Sequence, residues 1–258
     1  MIHLAGDLDV GGGSVLIMAG PCAVESRERI RAIASLLAPL GVRVLRGGAF
    51  KPRTRPGTFE GFGAKGLELI REAADENGML VVTEVMEPEA VPLVAAYADI
   101  MQVGTRNAQN FPLLKALGRC GKPVLLKRGM SSTLSELLGA AEHVTREGNA
   151  DVMLCERGIR GFDPATRNVF DVGGMVALRE MTDLPIIADP SHAVGKRNLV
   201  PAVAMAAVAA GADGLIIEVH QEPDRSVSDA AQAMSVGAFE KLLEDLKKIA
   251  TIMGRRTV

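Results

Sequence analysis

Short runs of consecutive apolar residues recur along the chain at 15–19, 42–46, 80–84, 100–103, 124–127, 152–155, 185–188 and 214–218. They are rich in Val, Ile and Leu and carry no internal alternation, the pattern of strands buried on both faces. Between them lie segments with apolar residues at helical spacing, at 30–40, 67–77, 113–117, 134–144, 175–181 and 199–209, with a last one at 239–253. Strands of this kind alternating with amphipathic helices predict a parallel sheet covered by helices. Gly41, Gly78, Gly118, Gly148 and Gly211 each follow a helical run, where a left-handed residue is expected to close the helix. Thr133 and Ser135 are candidate helix starts. Residues 1–14 alternate apolar and polar around Gly6-Asp7 and predict a small hairpin, expected to cap the bottom of the sheet.

Eight strand–helix units fit either a closed barrel or an open doubly wound sheet that uses fewer of them. The polar residues favour the barrel, because they follow nearly every strand and do not gather at one crevice. Cys22 follows the first, Arg46 and Lys51 the second, Glu84 the third and Arg106 the fourth; Lys127, Arg157, His192 and Glu218 mark the fifth to eighth. Barrel enzymes build their active sites at the C-terminal ends of the strands. The expected fold is therefore α/β, a (β/α)8 TIM barrel with a short N-terminal β-hairpin. Its length of 258 residues suits one such barrel, about 250 residues, and residues 1–258 are expected to form a single catalytic domain with no regulatory domain.

Composition narrows the function. Apolar residues make up 48% of the chain but aromatics only 3%, with no Trp, so the core must be built from Val, Ile, Leu, Ala and Met. With 29 basic and 31 acidic side chains the net charge is −2, which argues against nucleic-acid binding through bulk positive charge. No apolar stretch approaches the roughly 20 residues that span a bilayer, and the first twenty residues hold no Lys or Arg to open a secretory signal. No membrane association and a cytoplasmic location are expected. Cys22, Cys120 and Cys155 are odd in number and far apart, which points to reduced thiols.

Four residues suggest a metal site: Cys22 in MAGPCAVES, His192 in ADPSHAVGKR, Glu218 in IIEVH and Asp229 in VSDAAQ. Singly, each has an ordinary explanation: a small buried hydrophobe, a loop imidazole bonded to backbone, or a carboxylate paired with a nearby cation. Together they fall on the first, seventh and eighth strands or the loops that follow, and these strands are neighbours in a closed barrel. One thiolate, one imidazole and two carboxylates suit Mn²⁺, Fe²⁺, Co²⁺ or Zn²⁺ better than Mg²⁺ or Ca²⁺. His220 competes as a ligand, or orients Glu218 from behind.

Cations point to anionic substrates. The loop from Arg46 to Arg55 carries Arg46, Lys51, Arg53 and Arg55, with Gly47, Gly48 and Pro52 shaping its backbone and the Thr54 hydroxyl beside two charged donors. Arg106, Lys127, Arg128, Arg157, Arg160, Lys196 and Arg197 arrive from other loops. So many cations on one rim of a slightly acidic protein would focus a positive potential into the mouth. Two phosphorylated substrates, one also bearing a carboxylate, would use them.

In order along the chain, AGPCAVES, LRGGAFKPRT, QVGTRNAQNF, LLKRGMSST, CERGIRGFDPATRN, DPSHAVGKR and IIEVHQEPDRSVSD resemble the successive motifs of the 3-deoxy-D-arabino-heptulosonate 7-phosphate (DAHP) synthases, over roughly residues 15–250. More narrowly, the chain is similar to the shorter Iβ subfamily, which shares ancestry with the 3-deoxy-D-manno-octulosonate 8-phosphate synthases. The resemblance implies a metal-dependent condensation of phosphoenolpyruvate with erythrose 4-phosphate and water, the step that opens the shikimate pathway towards the aromatic amino acids. It further implies that Cys22, His192, Glu218 and Asp229 hold the divalent metal. Arg46, Lys51 and Lys127 match positions near the phosphoenolpyruvate carboxylate, Arg106 and Arg157 match those at its phosphate, and Arg53 and Thr54 match the site for the erythrose 4-phosphate phosphate. Lys51, Cys22 and His192 are the implied catalytic residues, and a homodimer or homotetramer the implied assembly.

Lys51-Pro52-Arg53-Thr54 separates the two sister synthases, because the octulosonate enzymes resemble a Lys-Ala-Asn-Arg-Ser-Ser pattern here. Departures from the family pattern fall at Arg55, Gln221, Ala230 and Ala233, none at an implied ligand. With no ferredoxin-like domain ahead of the first strand and no fused chorismate mutase, the isolated chain is expected to be insensitive to Phe and Tyr. The competing readings are an octulosonate synthase, a non-catalytic barrel, and a Schiff-base aldolase using Lys127 beside Arg128.

Overall fold

The computed structural model describes residues 1–51 and 59–258. An N-terminal hairpin, β1 (Ile2–Ala5) and β2 (Leu8–Val10), precedes a run of parallel strands: β3 (Ser14–Gly20), β4 (Val44–Arg46), β5 (Leu80–Val85), β6 (Ile100–Val103), β7 (Val124–Lys127), β8 (Val152–Glu156), β9 (Ile186–Ala188) and β10 (Gly214–Glu218). Each pairs in parallel with the next, and β10 pairs back onto β3, with Gly214 opposite Leu16 and Glu218 opposite Gly20. That last pairing closes the (β/α)8 barrel.

The two-residue period of a strand explains why each run is continuously apolar. On β3, Leu16 and Met18 face a core inside the barrel with Val44, Val82, Ile100, Leu125, Met153, Ile187 and Ile216. Their neighbours Val15, Ile17 and Ala19 face the outer core under the helices. Ile2, Leu8 and Val10 from the hairpin join the inner cluster, so the hairpin forms the floor of the barrel, as its alternation predicts.

The outer layer comprises α1 (Arg27–Leu37), α2 (Ala64–Asp75), α3 (Val91–Ala95), α4 (Phe111–Cys120), α5 (Leu134–Thr145), α6 (Val172–Met181), α7 (Pro190–Val194), α8 (Val200–Ala209) and α9 (Val236–Ile252). Thr133 is the N-cap of α5 and forms a capping box with Glu136; Ser135 lies inside the helix. Gly41, Gly78, Gly148 and Gly211 have the expected positive φ, but Gly118 does not end its helix. The turn after α4 belongs to Gly121, with φ 69°. A Cβ at Gly118 would lie 2.5 Å from both Glu147 Cβ and Val144 O, so this glycine lets α4 approach the end of α5. The short α3 and α7 have too few residues to show a helical period, and the sequence pattern does not mark them. A two-residue strand, β11 (Arg256–Thr257), pairs with the start of β3 and is equally invisible. Arg255 anchors it, donating to Ala212 O and Ser14 O and pairing with Asp213. No helix among the described residues is long and apolar enough to cross a membrane.

Candidate metal centre and anion pocket

Cys22, His192, Glu218 and Asp229 converge at the C-terminal rim, and one ligand atom from each lies within 4.8 Å of all the others. Cys22 follows β3 and is 1% exposed. Its Sγ lies 3.0 Å from Asp229 Oδ2 and accepts from Lys51 Nζ at 2.9 Å. Burial, then the Glu218 carboxylate, pushes the thiol up to about 12 against the opposing charge of Lys51.

His192 rides on α7, which begins with Asp189 as N-cap and Pro190 in its first turn. Asp189 Oδ1 accepts the His192 N–H at 3.0 Å. Its Oδ2 lies 2.8 Å from His192 Nδ1, a close but poorly aligned contact. The other nitrogen, Nε2, faces Glu218 Oε1 at 3.2 Å. Burial lowers the His192 pKa against the pull of Asp189, so the imidazole favours its neutral, ligating form.

Glu218 ends β10. Its Oε1 accepts from Arg46 Nη1 at 2.7 Å and its Oε2 from Gln232 Nε2 at 2.8 Å. Burial opposes its ionisation, but His192, Arg46 and Lys51 hold the carboxyl below its usual value. Asp229, on the loop after β10, is the one non-glycine residue with positive φ, 52°, among the described residues. Burial works against its charge too, yet the Cys22 contact and the charges of His192, Lys51 and Arg167 bring the carboxyl to about 2.

A buried soft donor, a neutral imidazole and two ionised carboxylates pointing at one spot fit a divalent first-row ion. An imidazole whose second nitrogen faces a carboxylate is the usual support for a metal-ligating histidine. His220 stands outside the group: its ring is 1% exposed, Nδ1 accepts from the Glu222 N–H and Nε2 faces Glu25. The expectation that it ligates or orients Glu218 does not hold, since the strand ends at Glu218 and the chain turns the ring away.

Beside this cluster opens a cavity of about 240 Å³ into which Arg46, Lys51, Arg106, Lys127, Arg157 and Arg167 project. Glu84 and Asp229 are the acids on its wall. Lys127 Nζ is ion-paired with Asp189, a charged setting unlike the apolar pocket that a Schiff-base lysine needs. Arg46 Nε and Arg157 Nε are buried and have no hydrogen-bond partner among the described residues. Burial lowers the Arg157 pKa despite nearby Asp189. A guanidinium kept dry without a full set of acceptors is a site prepared for an anion.

Other rim cations serve elsewhere. Arg128 is 4% exposed and pairs with Glu156 at 2.8 Å and Asp171 at 2.9 Å. Lys196 donates to Ala165 O, and Arg197 pairs with Asp224. Arg160 lines a second cavity, next to Ser131 and Ser132. Arg53 and Thr54 lie outside the described residues.

Sequence reasoning passes over Asp189, Gln102, Arg167 and Gln232. Asp189 has a readable signal, because Asp-Pro is an N-cap followed by proline in the first turn. Gly104 is also required: a Cβ there would lie 2.0 Å from Glu84 Oε1, so its bare backbone makes room for the pocket's carboxylate.

Residues 2–255 match the family described as the DAHP synthetase I family. A phospho-2-dehydro-3-deoxyheptonate aldolase of Thermotoga maritima is 51% identical over 249 residues, covering 96% of this chain and 74% of its own length. A crystal structure of the Thermotoga maritima enzyme superposes with a TM-score of 0.97 at 50% identity, over 100% of this chain and 75% of that one. A 2-dehydro-3-deoxyphosphooctonate aldolase of Nitrosococcus oceani is 31% identical over 255 residues, covering 92% of this chain and 90% of its own. With the family match running over residues 2–255 and a relative 51% identical over 96% of the chain, the chain belongs to the DAHP synthetase I family.

Proposed function

We propose that this chain condenses phosphoenolpyruvate with erythrose 4-phosphate and water to give 3-deoxy-D-arabino-heptulosonate 7-phosphate and phosphate. The observation that carries this reading is the adjacency of the four-residue cluster to a pocket holding buried guanidinium nitrogens without partners. In it, Cys22, His192, Glu218 and Asp229 hold the divalent metal, one of Mn²⁺, Fe²⁺, Co²⁺ or Zn²⁺. When bound, such an ion supplies Lewis-acid polarisation of an aldehyde oxygen.

The chain's own groups do the rest. Arg46, Lys51 and Lys127 receive the phosphoenolpyruvate carboxylate end, and Arg106 and Arg157 its phosphate. Arg53 and Thr54 take the erythrose 4-phosphate phosphate. Holding two anions side by side against their repulsion converts an encounter into an oriented pair. C3 of phosphoenolpyruvate then bonds to the aldehyde carbon, water adds at C2, and phosphate leaves by C–O cleavage. Lys51 lies between cluster and pocket, with its ammonium 2.9 Å from Cys22 Sγ; we assign Nζ as the proton source for the oxygen that was the aldehyde. The reading takes residues 1–258 as one catalytic domain of a cytoplasmic homodimer or homotetramer.

Loss of phosphoenolpyruvate absorbance, followed with erythrose 4-phosphate or arabinose 5-phosphate before and after chelation, tests it. Turnover with the four-carbon sugar that disappears on complete metal removal and returns on readdition is expected. Turnover that survives metal removal, or that prefers arabinose 5-phosphate, would overturn it.

A further inference from the structure

Glu25, three residues after Cys22 and outside the pocket, has a side chain only 3% exposed, and both its oxygens are engaged. Oε1 accepts from the Ser226 hydroxyl at 3.0 Å and from the Val227 N–H at 2.9 Å. Oε2 pairs with Arg29 and faces His220 Nε2 at 3.4 Å. Because His220 Nδ1 accepts the Glu222 N–H at 2.9 Å, its proton sits on Nε2, aimed at Glu25. Arg29 also reaches the Arg225 carbonyl at 3.2 Å. The loop from Glu222 to Val227 is therefore held at successive points by Glu25 or by its two partners. It runs directly into Ser228 and Asp229, whose positive φ is a conformation that aspartate keeps only where its surroundings impose it.

We propose that Glu25, backed by His220, is the positioning residue of the metal centre: from the loop of Cys22 it fixes the separate loop that delivers Asp229. This rests on the reading of Cys22, His192, Glu218 and Asp229 as a metal centre, and it explains a juxtaposition that reading leaves open. Cys22 and Asp229 lie 207 positions apart in the chain, yet their ligand atoms stand 3.0 Å apart. Glu25 contacts neither ligand atom. It acts as a strut between the two loops, and its charge is retained: burial opposes ionisation, but the Val227 N–H, Arg29 and Ser226 hold the carboxyl below its usual value. As an ionised acceptor it can satisfy all four donors at once.

The test is Co²⁺ titration of the full chain stripped of metal, read by thiolate-to-cobalt absorption and by competition with a chelator. Glu25→Ala is expected to weaken Co²⁺ by about 10–100-fold while keeping the thiolate band, because Cys22 still ligates. Glu25→Gln, which keeps one acceptor oxygen for Ser226 and Val227, is expected to fall between Glu25→Ala and the unaltered chain. In an Asp229→Ala background, Glu25→Ala should add little further loss, since both act through one ligand. Ser226→Ala, which removes a single contact, should weaken Co²⁺ in the same direction by a smaller factor, and serves if Glu25→Ala does not fold. Unchanged Co²⁺ affinity in the Glu25 or Ser226 variants, or losses that add in full to that of Asp229→Ala, would overturn the strut. If the unaltered chain binds no Co²⁺, the metal reading itself falls and the strut with it.

Discussion

Metal binding should expel one proton from Cys22, and the buried thiol sets the size of the effect. With the thiol pushed up to about 12, only about one molecule in 10⁵ carries a thiolate at pH 7, so nearly every bound ion must displace a proton. At ~1.36 kcal/mol per pH unit, a five-unit gap costs on the order of 7 kcal/mol of metal affinity at neutral pH. An unperturbed thiol near 8.5 would cost about 2 kcal/mol. The other three members of the cluster would contribute no such proton, because Glu218 and Asp229 are held below their usual values and His192 below its own. The sign follows directly: raising the pH removes the competing proton and tightens binding, and lowering it weakens binding. Between pH 6 and 8 the dissociation constant for Co²⁺ should fall about tenfold per pH unit.

Calorimetric titration with Co²⁺ at pH 6.5, in two buffers of different ionisation enthalpy, counts the protons released. The unaltered chain should release one more proton per ion than Cys22→Ala, whose remaining ligands are already deprotonated. Equal counts for the two proteins would mean that Cys22 is either a preformed thiolate or not a ligand, and the reasoning would fail.

Arg157→Ala should leave the stability of the ligand-free protein within about 1 kcal/mol or raise it, because it removes a buried guanidinium whose Nε is unpartnered. The same change should raise the KM for phosphoenolpyruvate roughly 10–100-fold through a lost charged hydrogen bond; denaturant melts and initial rates decide. Asp189→Asn takes the counter-charge from Lys127 and the carboxylate oxygen from beside His192 Nδ1. It should weaken metal by about 10–100-fold and destabilise the fold by roughly 3–5 kcal/mol, measured by Co²⁺ competition and urea unfolding. Gly118→Ala forces a Cβ against Glu147 and Val144 and should cost about 1–3 kcal/mol while kcat per folded molecule stays unchanged; equal stability would show that α4 and α5 can separate freely.

The strands were legible because both faces of each are buried, which leaves an uninterrupted apolar signature. The cluster was legible because three of its four members sit at or just after strand ends, where sequence order translates into position on the rim. What the sequence hid depends on direction. Lys127 and Arg128 are adjacent in LLKR and look alike, yet β7 ends at Lys127 and Arg128 begins the loop that follows. Lys127 enters the pocket, while Arg128 turns outward to Glu156 and Asp171. His220 has the same parity as Glu218, but parity holds only while the strand continues, and β10 stops at Glu218. Glu25 stands in plain view in AVES with Arg29 as its i,i+4 partner; its other partners, His220, Ser226 and Val227, lie some 200 residues away, beyond the reach of any local pattern.

The buried carboxylates also explain how so many cations are held together in one slightly acidic protein. Asp189 serves Lys127 in the pocket and His192 in the cluster. Glu218 serves Arg46 in the pocket and is itself in the cluster. Each acid therefore belongs to both sites, and the cations it steadies are the ones assigned to the phosphoenolpyruvate carboxylate. Arg157, which has no ion-paired carboxylate among the described residues, is the contrasting case, assigned to the phosphate. A divalent ion drawing on Glu218 would compete with Arg46 for that carboxylate and leave the guanidinium freer to accept an incoming anion. Coupling of this kind is reciprocal, so changes at a shared acid should register at both sites. Asp189→Asn is accordingly expected to raise the KM for phosphoenolpyruvate as well as weaken the metal, whereas Arg157→Ala should touch the substrate alone.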